Sequence, residues 1–174
     1  MLASYNAANS QVLTRETELL KIGEKVPDQF WNTPFPIYQS GKVETKTLAS
    51  LKGKMIILDF WATWCASCIL KFPELESLQE KYKDRLQILG VSSPSSRDDL
   101  KKVSRLFEGK VPPFKIFTHP ALLDGAYLKG LFPYRPMPYY VWIDEGGILL
   151  AITSSGFVSE NTLTQILATK DNNR

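Results

Sequence analysis

The order of apolar and polar positions predicts a chain in which strands and helices alternate. Met55 to Trp61 is a continuous apolar run around Asp59, which is typical of a central strand covered on both faces. Cys65 to Tyr82 then carries an apolar stripe at helical spacing. Gln87 to Ser92 is a second short apolar run and predicts a second buried strand.

The rest of the chain continues this alternation and ends in a hairpin. Glu145-Gly146-Gly147 lies between two apolar runs and predicts the hairpin turn. The predicted elements after the second strand are a helix at Ser96–Phe107, a short strand at Phe114–Thr118, a short helix at Ala121–Leu131, strands at Tyr139–Asp144 and Ile148–Thr153, and a helix at Glu160–Thr169. Alternation predicts parallel strands and the hairpin adds antiparallel ones, so we expect an α/β fold: one mixed sheet with helices on both faces.

The N-terminal part has weaker patterning. We predict an N-terminal extension at residues 1–24, with a short helix at Thr14–Lys21, and a single domain at residues 25–174. Prolines between Pro27 and Pro36 predict an irregular segment. Gly41–Thr47 then predicts a turn and a short strand, and Leu48–Lys52 predicts one helical turn ended by a glycine.

Composition and charge narrow the classes of function. The chain has 174 residues, with 44% hydrophobic and 22% charged positions, which fits one globular domain. Its formal net charge of +3 is too small to indicate a nucleic-acid partner. No apolar run reaches the length that crosses a bilayer. The N-terminus lacks the pattern of a signal peptide, but this leaves the compartment open, since a mature secreted form would look the same.

Both cysteines of the chain lie in one stretch, DFWATWCASC, where Cys65 and Cys68 are separated by two residues. A structural zinc site needs four ligands, and the chain offers these two thiols and one distant histidine, His119. Haem attachment would require a histidine directly after Cys68, where Ile69 stands. A structural disulfide here would close a very short loop and remove little entropy from the unfolded chain. The pattern therefore favours a redox pair, with no metal and no cofactor.

The position of the pair between a strand and a helix supports this interpretation. Cys65 would lie in the first helical turn, where free backbone N–H groups and the helix dipole favour a thiolate, and Cys68 would be close enough to resolve a mixed disulfide. Asp59 in the buried strand should have a raised pKa and could move the proton of Cys68; the alternative is that it simply reaches solvent. Pro73 should kink the helix, unless the helix ends at Phe72.

The tryptophans near the cysteines and the single histidine are further candidate site residues. Trp61 and Trp64 flank the cysteines, and we expect Trp64 to be partly exposed beside the sulfur atoms. His119 precedes a proline in a predicted loop, and we expect it to be a surface residue and not a catalyst.

These residues together resemble a known family. DFWATWCASC followed by Pro73 resembles the active-site segment of thioredoxin-fold proteins, and the match to TlpA/ResA-like thiol–disulfide oxidoreductases is closer. The similarity begins at about Ile22, with IGEKVPDQF, and continues through LKGKMIILDFWATWC and PMPYYVWIDEGGILLAI. It implies a thioredoxin fold with an inserted strand and helix between Asp84 and Pro133.

The resemblance also implies roles for individual residues. Cys65 is the attacking thiolate and Cys68 the resolving thiol, and Asp59 corresponds to the buried acid of thioredoxin. Pro138 corresponds to the cis-proline that faces the disulfide, with Met137 before it. With Trp64, Met137 is the expected substrate-binding residue.

The chain departs from the family pattern at two positions. Lys71 stands where several members have a glutamate, and its cation could favour a cysteine thiolate or could simply be solvated. Met137 replaces the small or β-branched residue that often precedes the cis-proline, and it offers a soft apolar contact instead of a hydroxyl.

The expected function is a thiol–disulfide oxidoreductase that reduces protein disulfides outside the cytoplasm. Its partners would be those proteins and an upstream thiol electron donor, and we expect a monomer in the periplasm or cell envelope, with any membrane anchor absent from this chain. One alternative is a non-catalytic thioredoxin-fold interaction domain of a larger envelope protein. A peroxiredoxin-type peroxidase is disfavoured because Ala62 and Leu58 stand where that chemistry needs a threonine or serine and a proline.

Overall fold

A seven-stranded mixed sheet forms the centre of the computed structural model, which describes residues 19–92, 96–133 and 135–172. The strand order is β2-β1-β5-β4-β3-β6-β7. The strands are β1 (Phe35–Gln39), β2 (Lys42–Lys46), β3 (Met55–Trp61), β4 (Leu86–Ser92), β5 (Ala121–Leu122), β6 (Tyr139–Ile143) and β7 (Leu149–Ser154). The helices are α1 (Asp28–Asn32), α2 (Ala66–Lys81), α3 (Leu100–Phe107), α4 (Ala126–Leu131) and α5 (Glu160–Asn172).

The central strands have the predicted directions. β3 runs parallel to β4, and β4 runs parallel to β5, whereas β6 and β7 form an antiparallel hairpin that joins the sheet beside β3. β1 is antiparallel to both of its neighbours, β2 and β5. Because β6 is antiparallel to β3, the first residues of β6 lie beside the last residues of β3.

The sheet separates two apolar clusters. Side chains alternate between the faces of a strand, so Met55, Ile57 and Trp61 of β3 pack on one side, with residues of α2, α3 and α5. Ile56 and Phe60 pack on the other side, with residues of α1 and α4. Helices therefore cover both faces, as predicted, and every residue of β3 is buried.

Four predictions about local structure were wrong. Phe114–Thr118 is not a strand, since only Ile116 forms an isolated bridge there, and the third parallel strand is β5. The reason is that the carboxylate of Glu76 accepts the backbone N–H groups of Thr118 and His119, which are then unavailable to a ladder. The predicted helix at Ala121–Leu131 correspondingly begins only at Ala126.

The other two differences lie in β1 and at the start of α3. The prolines around Phe35 led us to predict an irregular segment, but Pro36 is accommodated within β1, and its carbonyl accepts the N–H of Leu123 at 2.9 Å. The helix predicted from Ser96 begins at Leu100, because Asp99 caps it by accepting the N–H of Lys102 at 2.8 Å.

The N-terminal segment joins the domain in its described part. Of the helix predicted at Thr14–Lys21, residues 14–18 lie outside the described residues, and residues 19–21 are not helical. The N–H of Leu20 donates to the carbonyl of Leu131, and the N–H of Gly23 donates to that of Leu149. The boundary between an extension and a domain near residue 24 stays a prediction.

Candidate active site

The two cysteines lie at the start of α2 and form a disulfide in this structure. Their Cα atoms are 5.3 Å apart. Cys65 is the N-cap residue of the helix and keeps 6% of its surface exposed, whereas Cys68 lies in the first turn and has none exposed. The outer sulfur is thus the one that a partner molecule can reach.

Hydrogen-bond donors converge on that outer sulfur. The backbone N–H of Cys68 donates to Sγ of Cys65 at 3.3 Å, and the hydroxyl of Ser67 lies 3.6 Å from the same atom. A 16-residue helix adds the positive end of its dipole at this point. Hydrogen-bond donors and a helix N-terminus at a sulfur atom favour its thiolate form.

The loop that carries the cysteines is fixed by a second loop. Asp98 accepts hydrogen bonds from both the backbone N–H and the hydroxyl of Thr63. The indole N–H of Trp64 donates to the carbonyl of Ser96 at 3.0 Å, and the rest of this side chain is 63% exposed. Trp64 is therefore exposed next to Cys65, as predicted. The helix predicted from Ser96 would have placed Asp98 in its first turn, so the contact of Asp98 with Thr63 was not predicted.

Asp59 is fully buried on the face of β3 that packs against α2. Burial raises its pKa from 3.8 to about 8, and interaction with the Tyr140 hydroxyl offsets part of that rise. Within the described part of the chain, neither carboxyl oxygen has a hydrogen-bonding partner of good geometry. The raised pKa was predicted, and the alternative that Asp59 reaches solvent is wrong.

Pro138 and Met137 lie at the same end of the central strands as the cysteine loop. Tyr139, the first residue of β6, pairs with Phe60, two residues before Ala62 at the start of that loop. The Met137–Pro138 peptide bond is cis, and both residues are partly buried. The fold thus brings this predicted pair to the end of β3 from which the cysteines follow.

The cation at Lys71 is engaged away from the sulfur atoms. Its Nζ forms an ion pair with Oε2 of Glu74 at 2.7 Å, and only 15% of the side chain is exposed. Lys71 is thus an ion-paired residue on α2 and not a freely solvated lysine. Pro73 lies inside α2, so the alternative that the helix ends at Phe72 is wrong.

His119 is buried, which corrects the prediction of a surface residue. Its ring packs against the rings of Phe72 and Phe107, with centroids 4.4 and 4.9 Å away, and its Nδ1 lies 3.2 Å from Oε1 of Glu76. Burial alone would raise the pKa of Glu76, but hydrogen bonds from His119 and Thr118 outweigh it and lower the pKa to about 2. In the sequence, the only indication of this contact is Glu76, an acid that flanks the apolar stripe of α2.

Neither a metal site nor a membrane span is visible in the described residues. No group of three or more His, Cys, Asp and Glu side chains in this part of the chain could hold a metal ion. No described helix is long and apolar enough to cross a membrane.

Comparison with known proteins agrees with this geometry. The AhpC/TSA family matches residues 22–126, which is more than half of the chain. The thioredoxin-like protein YneN of Bacillus subtilis is 30% identical over 150 residues, covering 86% of this chain and 81% of its own length. The thiol-disulfide oxidoreductase ResA of Bacillus cereus is 27% identical over 133 residues, covering 76% of this chain and 69% of its own.

A solved structure gives the same result. A Bacteroides vulgatus protein assigned as a thiol-disulfide oxidoreductase is 28% identical with a TM-score of 0.62, covering 86% of this chain and 96% of that one. The relatives and the paired cysteines at the start of α2 point to one kind of chemistry. The chain belongs to the AhpC/TSA family, and it is a thioredoxin-fold thiol–disulfide oxidoreductase of the TlpA/ResA-like kind.

Proposed function

We propose that the protein works as a reductant of protein disulfides outside the cytoplasm, with Cys65 as the attacking thiolate. The observation that carries the proposal is the convergence of the Cys68 N–H and the Ser67 hydroxyl on the Cys65 sulfur. Donors at this atom stabilise a negative charge there, and only the thiolate attacks a disulfide.

The reaction consists of two exchanges between sulfur atoms. In the first, the Cys65 thiolate attacks one sulfur of the substrate disulfide, and the other substrate sulfur leaves as a thiolate. In the second, the Cys68 thiolate attacks the Cys65 sulfur, which releases the second substrate thiolate and forms the Cys65–Cys68 disulfide. Two electrons pass from the protein to the substrate, and an upstream dithiol must return them by the reverse sequence.

Asp59 is proposed as the proton acceptor for the second exchange. Cys68 is fully buried and has to lose its proton before it can attack. Asp59 lies on the sheet face under the cysteine helix, and its pKa of about 8 makes its carboxylate a base of suitable strength near neutral pH. The proton would move from Cys68 to Asp59, directly or through a water molecule, and later to solvent.

Trp64, Met137 and Pro138 are proposed as the substrate-binding surface. Trp64 offers an exposed aromatic ring beside Cys65. Met137 and Pro138 precede β6 at the end of the strands where the cysteine loop begins. The backbone of these two residues lies before the ladder, so it can pair with an extended substrate segment. The Trp64 ring on one side and the backbone of Met137 and Pro138 on the other suit a flexible polypeptide that carries a disulfide.

The partners and location extend the same proposal. We infer a periplasmic or cell-envelope location and a monomeric protein. Protein disulfides form and persist in oxidising compartments, and the names of the relatives indicate thiol–disulfide exchange.

Trapping of the mixed disulfide tests this proposal. Reduced Cys68→Ser should accumulate a covalent complex with a disulfide-bearing protein such as insulin, and Cys65→Ser, the matched control, should not. The wild-type protein should also catalyse insulin reduction by dithiothreitol. A complex on Cys68 in the Cys65→Ser variant would contradict the assignment of roles, and absence of turnover would favour the interaction domain. Consumption of hydrogen peroxide with a similar rate would instead favour the peroxidase.

A further inference from the structure

Two buried polar side chains lie opposite each other beneath the cysteine helix. Asp59 of β3 and Tyr140 of β6 are directly paired in the antiparallel register. Paired residues of neighbouring antiparallel strands point to the same face of the sheet, with Cβ atoms about 4.5–5.5 Å apart. Tyr140 belongs to the apolar cluster that includes both cysteines, so this face is the one covered by α2.

The two side chains interact, but not at hydrogen-bond geometry. Neither carboxyl oxygen of Asp59, nor the hydroxyl of Tyr140, has a hydrogen-bonding partner of good geometry among the described residues, although all three atoms are buried. A buried hydroxyl without a good hydrogen bond costs free energy, so it is rarely kept without a reason. A phenylalanine would fill the same space in this apolar cluster without that cost.

The other neighbours of Asp59 offer no competing acid or base. On β4, the residue in register with Asp59 is Gly90, which has no side chain. The indole N–H of Trp61 is a second buried donor on this face. It lies against Gly90, where an added Cβ would come within 2.9 Å of Nε1, and Gly90 is in register with Asp59. On α2, the titratable groups that face this cluster are Cys65 and Cys68.

The charged groups nearby are paired with each other. Glu74 of α2, which acts on Tyr140 through its charge, forms an ion pair with Lys71. Glu76 is bound by the buried His119. The residues that α3 and α5 contribute to this cluster are apolar. Tyr140 is directly paired with Asp59 and lowers its pKa, so its hydroxyl is placed to respond to a charge on Asp59.

We infer that the Tyr140 hydroxyl is a positioning residue for the second exchange: it donates a hydrogen bond to the Asp59 carboxylate once that group has lost its proton, and so prepares it to accept the proton of Cys68. This rests on the role proposed above for Asp59. In the oxidised structure the two side chains are paired across the strands but do not meet hydrogen-bond geometry. Interaction with Tyr140 lowers the pKa of Asp59, in the direction that the inference requires.

The proton balance of the step is simple. Asp59 begins as a carboxylate that accepts the Tyr140 O–H. Cys68–SH transfers its proton to the carboxylate, and the resulting thiolate attacks the mixed disulfide on Cys65. Tyr140 keeps its own proton throughout, because burial and the nearby carboxyl raise its pKa further above its ordinary value.

The test measures the second exchange alone. Reduced protein is mixed with one equivalent of Ellman's reagent. The first aromatic thiolate appears when Cys65 attacks, and the second appears when Cys68 resolves the mixed disulfide. The rate of the second release is followed against pH in wild type, Tyr140→Phe, Asp59→Asn and Tyr139→Phe. Tyr139 is the matched control, because its ring lies in the cluster on the opposite face of the sheet.

Loss of the donor should move the pH midpoint of the second release upward by about one to two units, since hydrogen bonds to charged groups are worth that much. Tyr139→Phe should leave the midpoint unchanged, and Asp59→Asn should remove this titration. A substituted tyrosine with a more acidic hydroxyl, 3-fluorotyrosine at position 140, should move the midpoint downward. The rate of the first release should be the same in the control Tyr139→Phe as in wild type.

Two results would overturn the inference. If Asp59→Asn removes the titration but Tyr140→Phe and the fluorinated residue leave the midpoint in place, Asp59 is the proton acceptor and Tyr140 does not act on it. If Asp59→Asn changes nothing, the proposed role of Asp59 is wrong. In that case a ¹³C NMR titration of the Asp59 carboxyl carbon in oxidised wild type and Tyr140→Phe still decides whether the hydroxyl acts on the carboxyl group, since equal pKa values would refute the contact.

Discussion

Replacing Asp59 with asparagine should stabilise the oxidised protein, and the gain should grow as the pH rises. In the native state Asp59 has a pKa of about 8, against 3.8 for the ordinary carboxyl group. Between these two values the native protein holds a proton that the unfolded chain has released. The free energy of unfolding of the wild type therefore falls as pH rises through this window. Asparagine carries no titratable proton, so its contribution does not change.

The magnitude follows from the width of the window. Each pH unit between the two pKa values changes the free energy of unfolding by about 1.4 kcal/mol. From pH 4 to pH 7, the difference between Asp59→Asn and wild type should therefore grow by up to about 4 kcal/mol. Relaxation around a buried charge and penetration of water reduce such values, so we expect about 2–4 kcal/mol.

The assay is urea unfolding of both oxidised proteins at a series of pH values. Comparing the change with pH removes any constant cost of burying an amide where a carboxyl group stood. Asp84→Asn, the same substitution at an exposed position, is the control for the change of side chain itself. A pH-independent difference between Asp59→Asn and wild type would refute the claim that burial holds the Asp59 proton. Slow release of the mixed disulfide is expected in the same variant.

Three further substitutions test other parts of the structure. Glu76→Gln should lower stability near neutral pH by about 1–2 kcal/mol, because the His119 contact holds the Glu76 carboxylate ionised. The same substitution should flatten the fall in stability between pH 4.5 and about 2. If the Glu76–His119 contact contributed nothing, acid unfolding of the variant and the wild type would be the same. Asp98→Ala should speed amide hydrogen exchange at Thr63, and unchanged exchange would show that the loop is fixed by other contacts. Pro138→Ala should lower activity toward protein disulfides while Cys65 remains open to alkylation; full activity would remove Pro138 from the substrate surface.

The sequence was a good guide where one signal dominated. β3, α2, β4 and the hairpin of β6 and β7 each follow from a long apolar run or stripe, and all were predicted close to their observed bounds. The Cys65–Cys68 pair was identifiable as a redox pair because the chain lacks the further ligands that zinc or haem would need, and because a structural disulfide would close only a short loop. Burial of Asp59 was predicted because it stands inside a continuous apolar run, although the sequence left open the alternative that it reaches solvent.

The parts that were missed depend on contacts between distant segments. Glu76 takes the N–H groups of Thr118 and His119 out of the sheet, and no local pattern around Phe114 reveals an acceptor that lies on α2. The anchor between Asp98 and Thr63 likewise joins two loops that are separated by a strand and a helix. Pro36 in β1 shows the reverse case, in which tertiary pairing overrides a local signal against a strand.

Competitive alkylation of the two thiols tests the assignment of Cys65 as the attacking residue most directly. The fully reduced protein is exposed to a brief pulse of iodoacetamide near neutral pH, and the labelled position is mapped by mass spectrometry. Because Cys65 caps α2 and its sulfur accepts the Cys68 N–H, its thiol pKa should lie below that of an ordinary cysteine, so label should appear first on Cys65. Predominant label on Cys68 would contradict the assignment, and with it the order of the two exchanges.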